Sequence, residues 1–149
     1  MRWINHSVTA FCVTMVVTAN PILSVIAAAT SAMPDQIEIF LPLSRHRRIS
    51  HDILLWVPLM LILTALTFIP FSSNPPVPMF MGMIRVFLAG LALGVVMHLL
   101  MDGLSKSGIP ILGKYRFAAG WYKTFTMSEY VLSLGICLPC LAISSLLRG

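Results

Sequence analysis

Gly90, Gly94, His98 and Asp102 are spaced by four residues, so two absent side chains, an imidazole and a carboxylate share one face of an otherwise apolar helix. Imidazole plus carboxylate at i and i+4 presents two ligands to one metal ion, or a ligand and the partner that orients it. An ionisable side chain in a membrane-length apolar segment costs roughly 2.5–3.5 kcal/mol on insertion scales, so this face is a candidate for function. The plainer alternative is a hydrogen-bonded polar pair that only orders a helical bundle.

Further groups of the same chemistry stand beside other apolar runs. His46 and His51 bracket Arg47 and Arg48 in HRRISH, a spacing that separates them on a regular helix but lets both converge from a loop-to-helix junction. Asp35 closes the first apolar region, Glu38 follows at helical spacing, and Glu129 opens the last apolar segment. Glu129 suits either a helix N-terminus, where the macrodipole favours an anion, or a site carboxylate. Arg47 and Arg48 can steady an anionic group or set topology. His6 precedes the first apolar run. Cys137 and Cys140 form CLPC, a redox spacing, but inside an apolar helix small soft residues and a kinking proline read as packing, and Cys12 reads as core.

The elements that position these residues are expected in a bilayer. The chain has 149 residues, of which 58% are hydrophobic and 10% charged, too apolar for an ordinary soluble domain. A single integral membrane domain over 1–149 is expected, all-α and polytopic. Residues 53–71, 79–101 and 130–147 approach the 20 or so residues needed to cross about 30 Å of hydrocarbon, predicting three full spans. The first stretch, 8–30, is interrupted by Asn20-Pro21. It is one broken span, a helical hairpin with arms 7–19 and 22–32 of about 20 Å each, or a signal peptide, with Arg2 before the apolar run and Ala27-Ala28-Ala29 for a peptidase. The hairpin returns His6 to the level of Asp35; the single span removes it to the opposite side.

Basic residues set the orientation. Arg45, Arg47 and Arg48 lie in one connector, Lys106, Lys114, Arg116 and Lys123 in another, and 72–78 carries none, so both basic loops are expected on the cytoplasmic side. The net charge of +5 therefore points to anionic headgroups rather than nucleic acid. Tyr115, Phe117, Trp121 and Tyr122 place the second loop in the headgroup layer.

Taken in order, the early His6, MPD at Asp35, HRRISH, MHLLMDGLSKSGIP and the late Glu129 resemble the YdjM-like family of inner-membrane-associated, LexA-binding proteins regarded as metal-dependent hydrolases. The likeness spans nearly the whole chain. It departs at Ile37, where the family has a second aspartate, and at Arg48, where it has glycine. The resemblance implies a bacterial inner-membrane location and a divalent metal site of Asp35, His46, His51, His98 and Asp102, with His6 and Glu129 as further members. Nitrogen and carboxylate donors suit zinc, with manganese or iron as alternatives. Asp35, Glu38 or Glu129 would serve as base and Arg47 would hold an anionic group, on a lipid ester or phosphoester. The competing expectation is a non-enzymatic scaffold with a degenerate site, binding lipid or a protein partner.

Overall fold

Asn20-Pro21 breaks the first apolar run for local reasons. Helix α1 (Trp3–Thr18) ends at Ala19, whose φ of 52° is left-handed, and α2 (Pro21–Thr30) opens with the proline, whose missing N–H would have been unpaired anyway. Asn20 Oδ1 accepts the Leu23 N–H at 3.1 Å and caps the new helix. Ser24 Oγ meets Met15 Sδ at 3.6 Å near the turn, and Ser7 Oγ meets Ser31 Oγ at 3.4 Å at the far ends. The pair is therefore an antiparallel hairpin, and His6 comes back to the segment that carries Asp35.

The remaining helices are α3 (Met33–Phe40), α4 (Ile53–Thr67), α5 (Val77–Leu104) and α6 (Met127–Leu146). The structure, a computed structural model, describes residues 2–40, 51–67, 77–111 and 115–147, so His46, Arg47 and Arg48 lie outside the described residues. Within these, α1 packs on α2, α5 and α6, and α5 packs on α2 and α4.

Two helices, Met79–Leu104 and Met127–Leu146, are long and apolar enough to cross a membrane. Three full spans are not seen among the described residues. Of α4, 15 residues are described, about 22 Å at 1.5 Å per residue. Helix α6 starts three residues before the expected 130, because its first turn is polar and apolarity alone does not mark it. The chain is also not purely helical: β1 (Ile109–Ile111) and β2 (Tyr115–Phe117) form a short antiparallel hairpin. Gly108 admits it, since at its φ of 62° a Cβ would lie 2.3 Å from the Phe117 carbonyl oxygen.

The interior is more polar than the outside. Asn5, His6, Thr9, Thr14, Ser24, Ser31, His98, Asp102 and Ser133 are buried, while Leu61, Ile62, Phe80, Met83, Val131, Leu134 and Leu138 are exposed. In water that distribution would forfeit the hydrophobic driving force. In hydrocarbon it costs nothing, because association there rests on close packing by small residues and on hydrogen bonds between helices.

Gly90 and Gly94 make that close packing possible. A Cβ at Gly94 would lie 2.4 Å from both the Ala27 carbonyl oxygen and Thr30 Oγ1, and one at Gly90 would lie 2.5 Å from Ile26 Cγ2. The partner across the glycine face is thus α2, whose continuation carries Asp35. Gly94→Val is expected to destabilise the protein by roughly 1–3 kcal/mol through overpacking. Gly82, with nothing within 4 Å of its Cβ position, supplies the control: Gly82→Ala is expected not to lower the melting temperature in detergent.

Candidate metal centre

Four segments deliver polar side chains to one end of the hairpin. His6 comes from the second turn of α1, Asp35 from the first turn of α3, His51 from the residue before the α4 cap, and His98 and Asp102 from the last turns of α5. Each is held locally. Asp52 Oδ1 accepts the Leu54 N–H at 3.0 Å, which starts α4 at a defined residue and so fixes the backbone of His51. At the end of α5 the carbonyls that lack helical partners are taken up: Ser105 Oγ donates to Asp102 O at 2.7 Å, Tyr122 Oη to Met101 O at 2.8 Å, and the Trp121 N–H to Leu104 O at 2.9 Å. Tyr122 is thereby buried against α5, while Tyr115, Phe117 and Trp121 are exposed.

The resulting cluster is compact. His51 Nε2 lies 3.1 Å from His98 Nε2. Asp35 Oδ1 stands 3.0 Å from His51 Nε2 and 3.8 Å from His98 Nε2, and Asp102 Oδ2 stands 3.5 and 3.6 Å from the same two nitrogens. Ligand atoms around a tetrahedral ion with bonds of about 2.0–2.1 Å are separated by about 3.3 Å. The measured separations bracket that value. Two groups of potential ligands meet here, Asp35 with His51 and His98, and His6 with His98 and Asp102.

His6 stacks on His98 with ring centroids 4.0 Å apart and an interplanar angle of 23°. Its Nε2 is 3.5 Å from Asp102 Oδ1, the oxygen turned away from the other imidazoles. His6 Nδ1 is buried and makes no hydrogen bond among the described residues. Such an orphaned polar atom costs about 1–3 kcal/mol, a debt that a bound ion or its water would relieve. Burial pushes the Asp35 carboxyl up, but the His51 hydrogen bond and the charges of His98 and His51 outweigh it and hold the group below its ordinary value. Asp35 is therefore an anion at neutral pH. Two carboxylates and three imidazoles suit a divalent cation in donor type, and the residues present fit it.

Not every sequence candidate arrives. Glu129 belongs to neither ligand group. It is fully buried, with Oε1 accepting the Arg2 backbone N–H at 2.6 Å and Asn5 Nδ2 at 2.5 Å, and Oε2 accepting the Phe125 N–H at 2.8 Å. Through these bonds it clamps the start of α1 to the start of α6. Glu38 sits half-buried on α3, one turn beyond Asp35, and is in neither group. His46 and Arg47 fall outside the described residues. Ser105 and Tyr122, which lock the Asp102 turn, were not legible as functional; the only sequence signal was the SKSG run directly after the aspartate.

Glu129→Ala separates a clamp from a site residue. Losing a buried carboxylate that takes three hydrogen bonds is expected to cost on the order of 3 kcal/mol of stability, read as a lowered melting temperature, while metal per folded chain stays at the wild-type value. Loss of metal with stability intact would reassign Glu129 to the centre.

The family described as YdjM inner membrane protein matches residues 1–146 of the chain. No curated protein and no solved structure matches it.

Proposed function

The chain belongs to the YdjM inner membrane protein family, and from that premise we propose that it is a multi-pass enzyme of the bacterial inner membrane that hydrolyses esters or phosphoesters with a divalent metal, zinc by preference. The observation that carries this reading is the approach of Asp35 and Asp102 to both His51 Nε2 and His98 Nε2, each within 4 Å, from three separate segments.

In this reading Asp35, His51, His98 and Asp102 hold the ion. When bound, a divalent metal supplies a water of lowered pKa and polarises the oxygen of the bond to be cleaved. His6 acts as general base. Asp102 Oδ1 orients its ring through Nε2, and Nδ1, which has no hydrogen bond among the described residues, takes the proton of the attacking water and returns it to the leaving oxygen. The apolar packing of Trp56, Val95, Leu99 and Ile109 beside the cluster excludes bulk water and strengthens each of these interactions.

A scaffold without catalysis would require the buried polar groups to satisfy one another. His6 meets it at Nε2, which faces Asp102 Oδ1 at 3.5 Å, but not at the buried Nδ1, which has no hydrogen bond among the described residues. The test is protein purified in detergent with an affinity tag free of histidine, analysed for metal and assayed with 4-nitrophenyl phosphate and 4-nitrophenyl butyrate. About one metal per chain is expected, with turnover of one probe abolished by a chelator and restored by zinc. Folded protein free of metal, or turnover indifferent to the chelator, would overturn the reading.

A further inference from the structure

A groove of about 490 Å³ lies between α4, α5 and the hairpin, within the range of about 300–1,000 Å³ typical of ligand pockets. Its lining is apolar apart from Thr18, and includes Leu23, Trp56, Met60, Ala89 and Ala92. On α5 it runs from Ala89 to Leu99, about 15 Å at 1.5 Å per residue, and Leu99 is the neighbour of His98. On α1 it reaches Thr18, about 18 Å along the helix from His6. Two elements thus give the same course: the groove begins at the level of the His/Asp cluster and descends toward the hairpin tip, parallel to the helices that can cross the membrane. On α4 it starts at Trp56, little more than one turn from His51.

The groove is also open sideways. Among its lining residues Val57 is 43% exposed, Leu61 66% and Val96 39%, and these continue the outward apolar surface of α4 and α5. What surrounds that surface in a bilayer is hydrocarbon chain. A methylene entering such a site from water gains free energy, but from the bilayer almost nothing, so a chain here gives register and selection rather than affinity.

We propose that the groove is the acyl-chain subsite of the enzyme, so that the substrate is a membrane lipid entering laterally, its chain along Ala89, Ala92 and Leu99 and its polar linkage at His98 and Asp102. This rests on the hydrolase reading for the headgroup end alone. The seat of the chain stands on the groove itself.

Trp56 makes the test direct. With Trp3→Phe and Trp121→Phe it is the sole tryptophan of the chain. That protein is placed in phosphatidylglycerol vesicles whose acyl chains carry bromine, a fluorescence quencher. Trp56 emission is expected to fall, and filling the groove by Ala89→Phe, or by Val96→Phe should the first variant not fold, is expected to reduce the quenching at least twofold with metal content unchanged. Equal quenching in filled and unfilled protein overturns the subsite. So does quenching that rises as protein is diluted in lipid, which would mean that a second copy covers the groove. Metal content, measured on the same samples, reports on the hydrolase reading separately: metal-free protein with bromine-quenched Trp56 sinks the catalysis and keeps the lipid site.

Discussion

His98→Ala is expected to reduce bound metal from about one per chain to under a tenth, and to abolish chelator-sensitive hydrolysis with it. His98 Nε2 is common to both sides of the centre, with His51 Nε2, Asp35 Oδ1 and Asp102 Oδ2 all within 4 Å. Removing it takes away one imidazole donor and the ring on which His6 stacks. Asp102→Ala is expected to do the same, since its two oxygens face opposite partners, Oδ1 toward His6 and Oδ2 toward His51 and His98. Deleting a buried carboxylate among imidazoles can also harm folding, so Asp102→Asn is the companion variant: it keeps the shape, loses the charge, and should hold metal at least tenfold more weakly. Elution volume in detergent and melting temperature report whether each variant is folded. A folded His98→Ala protein with full metal would remove this cluster from consideration.

His6→Gln is expected to separate catalysis from metal binding. Glutamine fills similar space and offers hydrogen bonds but cannot act as a base, so kcat should fall by roughly 10²–10⁴-fold while metal stoichiometry stays near wild type. The contrast with His98→Ala is the informative part. His6 belongs to one of the two ligand groups, with His98 and Asp102, while Asp35, His51, His98 and Asp102 make close contacts of their own without it. Loss of metal in His6→Gln would instead make His6 a ligand, and unchanged kcat would leave it a packing residue.

Much of this arrangement is legible in the chain because it follows from local chemistry. Proline after asparagine predicts the break at residue 20, and the four-residue spacing of Gly90, Gly94, His98 and Asp102 places small and polar groups on one face. The glycines then select α2 as the close partner, which carries Asp35 toward His98. Among the readings of the first apolar stretch, however, spacing could not choose. That choice depends on pairings such as Met15 with Ser24, which belong to tertiary structure. Glu129 shows the same limit: a carboxylate in a first helical turn is compatible with a site or a cap, and its decisive partner, the Arg2 N–H, is 127 residues away. The groove has no sequence signature at all, since it arises from the relative placement of three apolar surfaces.

The most direct test of the centre is X-ray absorption at the zinc edge on wild-type protein loaded with one equivalent of zinc. The account predicts a first shell of nitrogen and oxygen at about 2.0–2.1 Å with the outer-shell scattering of two imidazoles, both features lost in His98→Ala. A shell containing sulfur at about 2.3 Å, drawn from Cys12, Cys137 or Cys140, or an ion surrounded by water alone, would contradict it.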